Sequence, residues 1–169
     1  TLPLIGMSTA VTAVTGAAYG ANEIKKMDTA YLYSVKLGVL IEAFVAITVF
    51  IFAPQIASIF TQSAGGVRIL DDLIRFLRIS SVFYPSVAFG MFSSALFQGT
   101  GRGINALIIT LFRTIIFIIP FSYLFSIFMQ MGLRGVWFGI VAGNITGAFI
   151  AFIWARLYIT QLLRINNIS

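Results

Sequence analysis

Two ionisable side chains sit inside otherwise apolar runs: Glu42 in "LGVLIEAFVAI" and Arg113 in "LIITLFRTIIF". An ion held at such a place is costly, and by default it marks a functional site. Three readings are open: the two pair across helices, each snorkels to a nearby headgroup layer, or one of them serves a coupling ion. A third feature, "ALFQGTGRG" (Ala95–Gly103), raises the question of a phosphate-cradling loop. A dinucleotide fingerprint needs wider glycine spacing, a strand before it and an acid about 20 residues on; a P-loop needs a lysine. None of these is present, so the stretch reads as a tight turn in which Gly99 and Gly101 end a helix. The only adjacent carboxylates, Asp71 and Asp72, share a helical face with arginines. There is no cysteine and no histidine, which removes thiolate and imidazole chemistry, disulfides and the usual metal ligands. No catalytic constellation, cofactor site or metal site is expected, and a membrane enzyme is the weakest reading.

The elements that position these residues follow from hydropathy. Charged residues make up only 9% of the chain, against about a quarter in a soluble domain. That is too few to cover a water-facing surface, and the mean hydropathy is +1.00. A bilayer span needs about 20 mostly apolar residues, and five stretches qualify: about 1–21, 37–60, 79–98, 104–128 and 135–155. We read them as one transmembrane domain over 1–169, all-α and multi-pass, in a cell (cytoplasmic) membrane. Asn22 to Lys36 is read as a polar, basic loop. After a Gly65-Gly66 break, residues of about 67–78 show helical periodicity, with i,i+4 pairs Arg68–Asp72 and Asp71–Arg75. This predicts a short amphipathic helix at the interface, or an extension of the third span.

The charge of +6 is scattered rather than clustered, which favours cytoplasmic loops near anionic lipid over nucleic acid. With the loop holding Lys25, Lys26 and Lys36 inside, seven basic residues fall inside and four outside. In the last span Gly135, Gly139, Gly143, Gly147, Ala151 and Ala155 recur every fourth position. Such a groove admits a neighbouring backbone, so Gly139, Gly143 and Gly147 are candidate helix-packing residues, with a substrate-lining face as the alternative. Pro85 and Pro120 fall inside their spans and should bend them. Tyr84, Gln98 and Asn144 are candidate cavity-lining positions by location alone, and "TLPLIGMSTA" reads as helix interior rather than a leader.

Taken together, "STAVTAVTGAAYGANEIKK", "FLRISSVFYPSVAFGMFSSALFQGTGRG", "LFRTIIFIIPFSYLF" and "MGLRGVWFGIVAGNITGAF" occur in an order that resembles the multidrug and toxic compound extrusion (MATE) transporters. The resemblance covers nearly the whole chain and implies helices 8 to 12 of a twelve-helix protein, within its C-terminal lobe. It further implies exchange of Na⁺ or H⁺ for amphipathic organic cations by rocking of two lobes. Some members use an acid in the helix matching Ile79–Gln98, and this chain has none there. The coupling carboxylates are therefore expected in an N-terminal lobe, with lipid, small organic cations and that lobe as partners. Two alternatives are a lipid-linked oligosaccharide flippase of the same superfamily, and a non-transporting membrane subunit or scaffold.

Overall fold

The computed structural model describes residues 2–61 and 69–166, and these form helices with no strand among them. We number them α1 (Leu2–Gly20), α2 (Ile24–Phe60), α3 (Leu70–Ser81), α4 (Tyr84–Gly99), α5 (Gly103–Phe128) and α6 (Leu133–Asn166). Four of them, α1, α2, α5 and α6, are long and apolar enough to cross a membrane, and the α3–α4 pair makes a fifth if counted as one broken span. The Gly65-Gly66 break and the Arg68–Asp72 pair lie outside the described residues. Asp71 and Arg75, for their part, form no ion pair among the described residues.

Helix α4 sits at the centre, against α1, α2 and α6. It is flanked on several sides, so its buried positions are small or apolar nearly all round: Ala88, Gly90, Phe92, Ser93, Ala95, Leu96 and Phe97. On α1, a Cβ at Gly16 would lie 2.8 Å from the Gly99 carbonyl oxygen, so the two backbones touch there. Gly99 thus serves a close approach, while Gly101 alone takes the left-handed conformation, at φ +75°. The Gly101 and Arg102 amides donate back to Gln98 and Phe97 at 3.1 and 2.7 Å, the paired closure that ends a helix in this way. Asn22, at φ 59°, closes α1 by the same device, with Asn22 and Glu23 bonding to Tyr19 and Ala18.

That closure corrects one expectation. The basic segment after α1 is not a loop to Lys36; α2 begins at Ile24 and runs unbroken for 37 residues. Ile24, Met27, Tyr31, Val35 and Gly38 recur at helical spacing and are buried. With neither glycine nor proline between Ile24 and Leu37, lysines on the opposite face do not stop the helix. The amphipathic segment forms as α3, with Asp71 and Asp72 in its first turn and Arg78 in its last, matching the helix dipole. It meets α4 at 54°. The bend lies ahead of Pro85, which occupies the first turn of α4, where its missing N–H costs nothing.

Helix α5 is unusual inside. Phe112–Ile118 and Leu124–Phe128 are π-helical, separated by an α-helical stretch, Ile119–Tyr123, that contains Pro120. Its outer face and those of α2 and α6 expose Phe44, Ile47, Leu107, Ile115 and Ile153. Such a belt suits hydrocarbon contact.

Candidate functional site

The groove of α6 and the face of α5 define the site. Cβ atoms added at Gly143 and Gly147 would lie 2.7 Å from Ile118 Cα and 2.6 Å from Arg113 Cγ, and the same construction at Gly139 and Gly135 meets Ser122 and Phe125. Glycines spaced by four therefore face Arg113, Ile118, Ser122 and the Phe125–Ser126 backbone. The step of five between Arg113 and Ile118 coincides with the first π-helical stretch, whose i→i+5 bonding widens the turn. A regular α-helix, repeating every 3.6 residues, would carry this contact face round the helix and away from the groove.

Arg113 lies about 15 Å along α5 from Gly103. Its stem rests on Gly147, and one guanidinium nitrogen is 3.7 Å from where a Gly90 side chain would begin. Its Nε is buried with no hydrogen-bond partner among the described residues. A cavity of about 380 Å³ opens between α5 and α6, lined by Ile109, Phe112, Phe117, Ile150 and Trp154 among others, with Arg113 its only ionisable member.

Glu42 is fully buried on α2. One turn before it, Gly38 faces Ala88 and Phe92 of α4, and its carboxylate acts electrostatically on Tyr84. Ala88 and Phe92 point to α2, whereas Gly90, two residues round the helix, points to Arg113. Glu42 thus follows the α4-facing Gly38 by one turn, while Arg113 reaches α4 at Gly90. Because α2 begins at Ile24, Glu42 stands about 27 Å along the helix from that end.

The three polar candidates are dispersed. Tyr84 starts α4, its ring edge-on to Phe83 at 5.3 Å. Gln98 is exposed near the other end, about 21 Å away along the axis, and donates to Ser94 Oγ at 3.2 Å. Asn144 donates to the Ile140 carbonyl in its own helix at 2.8 Å. Among the described residues no cluster of His, Cys, Asp or Glu could hold a metal.

Polar ties that the sequence did not signal hold one end of the bundle. Tyr31 and Ser93 hydroxyls bond at 2.8 Å in the core, joining α2 to α4. Arg156 of α6 pairs with Asp28 of α2, and the Arg102 guanidinium stacks over the Tyr158 ring at 4.5 Å. Their partners lie 56 to 128 residues apart in sequence, so no local pattern could join them.

The family model MatE matches residues 1–124. A probable multidrug resistance protein NorM of Bacillus subtilis is 28% identical over 151 residues, 87% of this chain and 32% of that protein. The chain spans about a third of the length of the curated relatives it matches. Among solved structures, the inward-facing conformation of a multidrug resistance MATE family transporter of the MOP superfamily superposes with a TM-score of 0.93 at 45% identity, over 96% of this chain and 37% of that one. The outward-facing conformation of a transporter of the same description gives 0.91 at 46% identity, over 96% and 36%.

Proposed function

Since this chain belongs to the MatE family, we propose that it forms part of a cation-coupled (Na⁺ or H⁺) multidrug antiporter that exports amphipathic organic cations by alternating access. Members of the family are transporters rather than enzymes. The observation that carries the mechanism is that one arrangement of these helices fits inward- and outward-facing relatives almost equally well, at TM-scores of 0.93 and 0.91. A unit that keeps its shape between two access states changes only its placement against the rest of the protein. The glycine groove and the buried α4 contacts give it the stiffness such motion needs.

The coupling ion binds outside these residues in this reading. Helix α4 carries no acid, and among the described residues no group of three or more His, Cys, Asp or Glu side chains could hold a metal ion. The coupling site is assigned to an N-terminal lobe, and the membrane to the cell membrane. The pairing of Glu42 with Arg113 across helices belongs to this reading as a proposal, which exchange of the two charges tests. The flippase alternative rests on Arg113 as the one cation within a span that could face a cavity.

The test uses the complete protein in proteoliposomes loaded with ethidium. An imposed Na⁺ or H⁺ gradient should drive efflux, and dissipating the gradient should stop it. Efflux that ignores both gradients would overturn the antiport reading.

A further inference from the structure

We propose that the Asp28–Arg156 ion pair sets the axial register of α6 in the bundle, a choice that the packing of α6 leaves open. In lipid no hydrophobic force presses helices together, so close packing and polar ties must place them. The packing of α6 repeats along its length. Gly135, Gly139, Gly143 and Gly147 each lie so close to α5 that an added Cβ would clash with it. Ring contacts repeat as well: Phe149 and Phe152 both meet Phe89 of α4, while Trp154 and Tyr158 both meet Phe97. A shift of α6 by four residues, about 6 Å, would set glycine where glycine stood and ring near where ring stood. Much of the contact survives such a slip.

Charge does not repeat. Helix α6 carries Arg134, Arg156 and Arg164 and no acid; between Ile24 and Leu40, α2 carries one acid, Asp28, among Lys25, Lys26 and Lys36. The two helices run antiparallel here, with Asn22 on Asn166, Asp28 on Arg156 and Tyr31 on Phe152. One turn of slip in one direction brings Arg156 level with Ile24 and Lys25, and one turn in the other brings it level with Leu32. Either leaves the guanidinium without its carboxylate, beside a like charge or an apolar side chain. Arg156 and Asp28 are 34% and 22% exposed, so water replaces the lost partner only in part. Fixing register is a use to which covered polar and ionic residues between helices are well suited. Asn144 bonds within its own helix, and Tyr31 bonds to α4, so neither hydrogen bond ties α6. The Asn22–Asn166 bond is exposed, and Arg102 reaches Tyr158 from an exposed turn, so water competes for both.

The test reads the slip as a distance. Tyr33 and Ile165 are exposed and lie on opposite sides of the pair, about 21 Å apart along the helix axes. The complete protein, with Tyr33→Cys and Ile165→Cys as its only cysteines, is spin-labelled in nanodiscs and measured by pulsed electron paramagnetic resonance. The parent should give one distance. Asp28→Lys should add a second population displaced by up to about 6 Å. Combining Asp28→Arg with Arg156→Asp should return a single distance at the parental value. A single parental distance in Asp28→Lys overturns the proposal, as does a displaced one in the exchanged variant. Should a charge-reversed variant fail to fold, Asp28→Asn decides: a displaced population supports the proposal, and an unchanged single distance rejects it. Distances are read without gradient or substrate, so this result and the efflux assay stand or fall separately.

Discussion

A methyl group added at Gly143 would lie 2.7 Å from Ile118 Cα, and backbone cannot swing aside as a side-chain tip can. Gly143→Ala should therefore force α5 and α6 apart and cost about 1–3 kcal/mol, read as earlier thermal unfolding in detergent. Gly6 is the control, since nothing lies within 4 Å of its added Cβ. Gly6→Ala should be neutral or stabilising by about 0.5–1 kcal/mol, through chain entropy alone. Glu42 and Arg113 admit a reciprocal test. If they meet during transport, Glu42→Arg with Arg113→Glu should recover efflux that each single change removes; a double variant as inactive as the singles rejects the pairing. Which residues were small, polar or charged inside a span was legible from composition and spacing. What each touches was not, because Tyr31 and Ser93, or Asp28 and Arg156, are joined only by the fold.

At the scale of elements, the turn between α4 and α5 depends on Gly101 holding φ +75°. Gly101→Ala places a Cβ in a left-handed conformation and should destabilise by about 1–2 kcal/mol. Gly103, with open space around it and no such φ, should accept alanine freely. Thermal unfolding of the two variants side by side checks the contrast. The tight turn at Gly99 and Gly101 was readable because glycine has a local backbone reason to be there. The start of α2 misled for the opposite reason: lysine density suggests solvent, yet the chain between Asn22 and Lys36 keeps an apolar stripe that continues into the span. The π-helical stretches of α5 left no sequence trace at all. Their extra residue per turn answers to the glycine spacing on α6, and that demand appears only when both helices are in place.

For the molecule as a whole, the predominance of lipid-compatible surface has a direct consequence. The protein should extract from membranes only with detergent and aggregate on its removal, measured by size-exclusion chromatography; a monodisperse species in plain buffer would contradict the membrane reading. The helical class was legible from hydropathy, since spans of about 20 residues need no tertiary information. The order in which helices surround α4 was not, because an apolar run does not say whether its neighbour is lipid or another helix.

Helix α6 continues ten residues past Arg156, about 15 Å of further length. There Asn166 meets Asn22 at 3.2 Å, while Arg156 and Asp28 brace α6 against α2 just behind. These joined ends form a stiff mast rooted in the bundle. A mast converts a slight tilt at its foot into a larger sweep at its tip, so paired spin labels on Lys25 and on a facing part of the complete protein would test the proposed rocking; a distance unchanged under an imposed ion gradient would contradict it.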